Sequence, residues 1–180
     1  MKSLLNDLVP SRRSSHQQRQ QGRRLSFENL EHRRVLTALA VTNLLDDGEG
    51  SLREAIEAAN AAPDADIIQF ESGLSGTITL TSGQLDITDD VTIEGPGEGN
   101  LTISGNNASR VFWINAGVTV DISRVTITGG KGDAGGAIYS EGTLSLENSE
   151  LSQNYANYGG AICSRGVLDI ADSVLSNNRS

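Results

Sequence analysis

Apolar residues along most of the chain fall in short alternating groups: Leu85 and Ile87; Val91 and Ile93; Leu101 and Ile103; Phe112 and Ile114; Val118, Val120 and Ile122; Val125 and Ile127. A period of two over three to five residues, broken by Gly, Asn or Asp, predicts strands joined by corners. One segment departs from this period. Leu52, Ala55, Ile56 and Ala59 stand at i, i+3, i+4 and i+7 and form one apolar stripe, so residues 51–60 are expected to be a short helix. Ser51 and Glu54 sit at capping-box spacing at its start, and Asn60 to Pro63 supply the stop. Asp66-Ile67-Ile68-Gln69-Phe70 then reads as the first strand.

The strand groups repeat. Gly135-Gly136-Ala137-Ile138 recurs 24 residues later as Gly159-Gly160-Ala161-Ile162, and 135–156 against 159–180 gives 11 identities in 22 positions. The same offset carries Ile114 to Ile138 and on to Ile162, a core ladder, and likewise Val120 to Leu144, Ile122 to Leu146 and Ile127 to Leu151. Further back, Ile78 and Leu80 match Leu101 and Ile103 at an offset of 23, with residues 95–100 as a loop insertion. Three short strands per repeat cannot close a core alone, so successive units must stack, each strand pairing with its equivalent one turn away. The expected fold is all-β: a right-handed parallel β-helix of ~24-residue coils, the hand following the general behaviour of parallel crossovers. Gly135, Gly136, Gly159 and Gly160 are read as repeat corners with close backbone passage. Asn154 and Asn178 are placed to stack as an amide ladder.

Composition divides the chain. Residues 1–40 carry eight Lys or Arg and three acids, residues 41–180 six and twenty. The basic part contains an apolar-free Arg/Gln/Ser run from Ser11 to Gln21 and is expected to be a disordered leader, followed by an amino-terminal cap over 41–70 and repeats over 71–180. No nucleic-acid role is expected, because the run lacks interleaved aromatics and adjoins an acidic body that repels phosphate. No apolar window is long enough for a membrane span. A single Cys excludes an internal disulfide framework and a Cys-rich zinc site.

Three stretches resemble known families. Residues 27–38, Phe-Glu-Asn-Leu-Glu-His-Arg-Arg-Val-Leu-Thr-Ala, resemble the export-associated L-E-P-R motif of large surface proteins of planctomycete-type bacteria, with His32 in place of Pro. Ala38-Leu39-Ala40 is a small-residue cleavage candidate; the alternative reading of 27–39 is an amphipathic helix docked on the domain. Ser51-Leu52-Arg53-Glu54-Ala55-Ile56, with Ala59-Asn60 and the strand at 66–70, resembles the C-S-L-R-E-A module that begins bacterial surface β-helix proteins; Gly50 replaces its Cys. The Gly-Gly-Ala-Ile starts and Ser-x-Asn endings over 111–180 resemble repeats of chlamydial-type polymorphic outer-membrane proteins and autotransported adhesins. These resemblances imply an exported or surface-displayed solenoid used for adhesion.

The rival function is a polysaccharide-degrading β-helix enzyme, pectate-lyase-like or glycosidase-like. Both His residues, His16 and His32, lie in the leader, so the body offers no imidazole for acid–base work. Asp89-Asp90 has the pairing of glycosidase carboxylates, but adjacent strand residues point apart. Asp121 with Arg124 and Lys131 with Asp133 read as solvated outer positions, and Arg53 as a salt-bridged helix residue. Calcium at Asp64 and Asp66, or at Asp86 and Asp89, lacks the repeated acidic loop that such sites use. Cys163 follows Tyr139 and Asn115 at the 24-residue offset, on the outer face, with no base beside it. No catalytic, cofactor or metal residue is therefore assigned. The function expected is a non-catalytic adhesion or interaction module for a surface protein or polysaccharide. A third reading is a truncated fragment of a longer surface protein, since Ser180 falls inside a repeat, and end-to-end self-association is expected of the uncovered last turn.

Overall fold

A computed structural model describes residues 38–62, 64–97 and 99–180. The basic run and residues 27–37 of the export-motif stretch lie outside the described residues. Among those described there are seventeen strands and one helix, and every pairing between named strands is parallel. Three long sheets run through successive turns. The six-stranded sheet is built from Ala38–Val41, Asp66–Phe70, Val91–Glu94, Thr119–Ser123, Thr143–Glu147 and Val167–Ala171. The five-stranded sheet holds Gly76–Thr79, Leu101–Ser104, Thr126–Thr128, Glu150–Ser152 and Val174–Ser176, and the four-stranded sheet Leu85–Ile87, Phe112–Ile114, Ile138–Ser140 and Ile162–Ser164. A further pair, Lys131–Ala134 with Tyr155–Tyr158, is present only in the later turns. The chain is thus a parallel β-solenoid of about five turns.

Alternation along each strand places one set of side chains inside. Ile68, Ile93, Ile122 and Leu146 stack in one ladder and Ile78, Ile103, Ile127 and Leu151 in another, all buried. Adjacent rungs lie about 4.8 Å apart, so each aliphatic side chain contacts its equivalents above and below.

The helix, Leu52–Ala61, covers the first turns with Leu52, Ala55, Ile56 and Ala59. Ser51 Oγ accepts from the Glu54 amide at 3.1 Å. The Glu54 carboxylate reaches past the cap to accept from the Gly50 amide at 2.6 Å, because the Ser51 amide already donates to Gly48 O. Arg53 is structural. It pairs with Asp46 at 2.8 Å and donates to the Gly83 and Gln84 carbonyls, while Asp46 also accepts from the amides of Thr81 and Ser82 and from the Thr81 hydroxyl. Burial disfavours the Asp46 charge, but Arg53 and these donors outweigh it and hold the carboxyl well below the usual carboxylate range. This cluster fastens the helix to the first full turn.

Three expectations need correction. Ala38, the first described residue, is already in a strand and pairs with Ile67, so residues 38–40 belong to the sheet and not to a disordered leader ending at residue 40. Ile78 lies opposite Ile103 and Gly76 opposite Leu101, an offset of 25 and not 23. The core ladder is also differently composed. Ile138 stacks on Phe112 and on Ile162, whereas Ile114 stacks between Ile87 and Ser140. The physical reason is a compensated insertion. The path from the five-stranded to the four-stranded sheet is two residues longer before Ile138 than before Phe112, and the next corner is two residues shorter after Ser140 than after Ile114. The 24-residue offset is therefore kept on both neighbouring sheets while the intervening strand shifts to 26.

Corners differ along the solenoid. Between the six- and five-stranded sheets, the first two full turns use the six-residue connections 70–75 and 95–100 in the register of the pairing, and the next three use single left-handed residues: Arg124, Asn148 and Asp172, at φ 58°, 48° and 47°. Asn and Asp tolerate that conformation and Arg does so less readily. At another corner Gly135 and Gly159 take φ of 61° and 60°, and a Cβ on Gly136 or Gly160 would fall within 2.3 Å of a backbone oxygen.

Polar ladders complete the last turns. Asn154 Oδ1 accepts from the Gly130 amide at 2.8 Å, and its Nδ2 donates to Ile127 O at 3.1 Å and to Asn178 Oδ1 at 3.0 Å. Asn178 Oδ1 also accepts from the Asn154 amide, and Asn178 Nδ2 donates to Leu151 O at 2.8 Å. Ser149 and Ser173 repeat the device, each hydroxyl accepting from an amide of the turn before. These bonds satisfy buried backbone groups where the ladder turns a corner.

Candidate interaction surfaces

The residues considered for chemistry do not converge. Asp89 accepts from the Asp90 amide and Asp90 from the Thr119 amide, at 2.8 and 2.7 Å, so both carboxylates fasten a corner. Arg124 pairs with Glu94 rather than Asp121. Lys131 and Asp133 lie exposed on the extra strand. Asp66 is buried within its strand while Asp64 is half-buried ahead of it, and Asp86 accepts from Gln84 Nε2 at 2.7 Å. Among the described residues no three His, Cys, Asp or Glu side chains gather as a metal site, and no helix is long and apolar enough to cross a membrane.

Two flanks carry denser chemistry. On the four-stranded sheet the outward column runs Asp86, Trp113, Tyr139, Cys163. Trp113, and not Asn115, is therefore the neighbour of Tyr139. The two rings lie 4.7 Å apart between centroids, tilted by 39°. The Arg110 guanidinium sits over both, 4.9 Å from the Trp113 centroid and 5.3 Å from that of Tyr139. It is locked there by the Ala134 and Gly135 carbonyls and by Gln84 Oε1. Arg165 approaches Tyr139 at 5.8 Å and faces Glu141, which accepts from the Tyr139 hydroxyl at 3.1 Å. Burial, followed by that hydrogen bond, pushes the Tyr139 phenol above its ordinary value. Tyr139 is thus outward in parity yet only 6% exposed, covered by cationic side chains. Cys163, a free and half-buried thiol, is the last member of the column.

The second flank is the outer face of the six-stranded sheet. Its columns run Ile67, Thr92, Asp121, Ser145 and Gln69, Glu94, Ser123, Glu147. Gln69 Nε2 donates to Glu94 Oε2 at 3.1 Å, and the other Glu94 oxygen accepts from Arg124. A cleft of about 400 Å³ opens beside this trio, walled by Phe70, Ser72, Gly95 and Pro96. A second, of about 440 Å³, shares Glu94 and continues over Asp121, Ser123, Ser145 and Glu147. Sequence reading missed this trio because Glu94 and Arg124 lie thirty residues apart, in a turn where Val91 meets Val120 only after 29. The available signal was the insertion itself: with 95–99 removed, the chain reads Glu-Asn-Leu, which falls on Ser123-Arg124-Val125 and on Glu147-Asn148-Ser149 of the next turns.

No protein-family model matches the chain, and no curated protein is similar to it.

Proposed function

We propose that this protein is an exported or cell-surface interaction module that acts without catalysis, presenting a rigid solenoid flank to a macromolecular ligand. The observation carrying this reading is the flank of Arg110, Trp113, Tyr139 and Arg165. Trp, Tyr and Arg are the residue types that most often dominate binding energy at interfaces, and here Trp113 and Tyr139 stack on consecutive rungs with the Arg110 and Arg165 guanidinium groups, from outside the strands, laid over them, so little side-chain entropy remains to be lost on contact. The export motif over 27–38 and the Gly-Gly-Ala-Ile repeats support the surface placement by resemblance. Beads coated with the 180-residue chain, applied to a panel of immobilised extracellular proteins and polysaccharides, test the contact. Trp113→Ala and Arg165→Glu should each lower retention at least about tenfold on the surface that binds the unmodified protein. Unchanged retention by both variants would remove the flank from the account. Cell fractionation tests the export reading, which fails if the full chain stays with the cytosolic fraction.

Self-association through the last turn is the second part of the proposal. Leu168, Ile170 and Leu175 continue the inner ladders but are 40%, 39% and 47% exposed, around a groove of about 400 Å³. Residues 159–180 hold two Arg and two Asp, whereas 41–158 hold four basic and eighteen acidic residues, so this turn carries no net charge to oppose contact with its own copy.

A further inference from the structure

We infer that the outer face of the six-stranded sheet is a binding site for a neutral linear glycan, laid along the solenoid axis from Phe70 to Glu147. This site lies on a different flank from the Trp113 column and stands on separate observations. The two clefts share Glu94 in their walls, and each falls within the volume range of small-ligand sites, at about 400 and 440 Å³. Their polar groups are of the kind that read sugar hydroxyls. Glu94 is a carboxylate acceptor held at both oxygens by Gln69 and Arg124, so its position is fixed before a ligand arrives. Gln69 and Arg124 keep further N–H donors for ligand oxygens, and Phe70 supplies an apolar wall for a ring's C–H face.

Repetition extends the site beyond one sugar. Glu94 and Glu147 are two rungs apart, roughly 10 Å, with Ser123 between them, and Asp121 stands beside them with Ser145 on the following rung. A chain of polyols running along this face meets a carboxylate or hydroxyl acceptor at every rung. Charge selects among glycans. Four of the outward groups over these rungs and the next, Glu94, Asp121, Glu147 and Asp169, are acidic against the single Arg124, so a uronate polymer or a nucleic acid is repelled while neutral hydroxyl donors are not. The corner that makes the first cleft supports the assignment: Arg124 occupies a left-handed position that the two following turns give to Asn148 and Asp172.

Calorimetric and heteronuclear NMR titrations of the full chain with cellohexaose, laminarihexaose and mannohexaose, and with hexagalacturonate as the acidic counterpart, test the inference. At least one neutral hexasaccharide should bind with Kd of about 0.1–1 mM and shift the amides of Gln69, Gly95, Ser123 and Ser145. Glu94→Gln should weaken that binding at least about tenfold, as should the exposed Gln69→Ala, which removes one of the two groups holding the Glu94 carboxylate and leaves its contact with Arg124 in place; both variants should melt as the unmodified protein does. Glu150→Gln, on the five-stranded sheet, should leave the affinity unchanged. Absence of binding by all three neutral probes, equal or tighter binding of hexagalacturonate, or shifts confined to the Trp113 flank would overturn it.

Discussion

The first two full turns and the last three share the three long sheets but differ at their corners. Where the six-stranded sheet passes to the five-stranded one, the early turns use six residues, while the later turns use one left-handed residue each, Arg124, Asn148 and Asp172. Tight corners align every position at 24 residues, so inner aliphatics, the Asn154–Asn178 amides and the Ser149–Ser173 hydroxyls fall on top of one another. Long corners surrender that alignment and create relief: the cleft beside Glu94 lies where the corner shortens from six residues to one. In this molecule regularity provides stability and its interruption provides concave surface.

Substitutions can break or sharpen that contrast, and the largest effect belongs to the shared inner ladder. Ile138→Asp puts an unpaired charge at a fully buried position and should cost about 4 kcal/mol or more, seen as loss of the cooperative thermal transition. Asn154→Ala tests the polar ladder of the regular turns. It strands the Gly130 amide, the Ile127 carbonyl and the Asn178 side chain, and should cost about 2–4 kcal/mol in denaturant unfolding. A cost below about 1 kcal/mol would show that the amides follow the regularity without supporting it.

The early region has its own fastening, and pH exposes it. Asp46 has a folded pKa depressed below its ordinary value of 3.8, so its contribution is complete above that value and is lost as pH falls through it toward the lower folded value. Unfolding free energy should decline from about pH 5 to pH 2, and Asp46→Asn should be less stable at neutral pH with a flatter decline. A decline of unchanged steepness in Asp46→Asn would place the acid sensitivity elsewhere. Ser51→Ala, which removes the helix cap of the same region, should cost about 1 kcal/mol. Leu168→Lys should leave the melting of the monomer nearly unchanged, because Leu168 is 40% exposed, but should reduce concentration-dependent association in light scattering. Association of equal strength in the variant would exclude the last turn as the contact.

How much was legible follows the same contrast. The helix stripe, the Ser51 cap and the rungs from Val120 to Leu175 could be read because period and burial coincide there: the residue 24 places on is the physical neighbour. The ladder through Ile114 misled because two extra residues before Ile138 and two fewer after Ser140 cancel in any count made across them. That cancellation also hid Trp113 as the partner of Tyr139, and with it the Arg110 stack. The Glu94–Arg124 pair was hidden by the 95–100 corner, since pairing across a loop depends on backbone register that composition does not encode. Ala38–Val41 was assigned largely to the leader because four apolar residues beside a basic segment carry an export signal and a strand signal equally well.

Deleting residues 95–99 tests the division of labour most directly. It leaves Asn100 as the single corner residue between Glu94 and Leu101, in the place that Asn148 holds between Glu147 and Ser149, and converts the 29-residue turn into one of 24. If long corners shape surface and the stacked rungs supply stability, thermal unfolding followed by far-ultraviolet circular dichroism should show an unchanged β spectrum and a cooperative transition within about 5 °C of that of the full chain. Loss of the β signal, or a transition lowered well beyond that interval, would mean that the long corner is itself part of what holds the solenoid together.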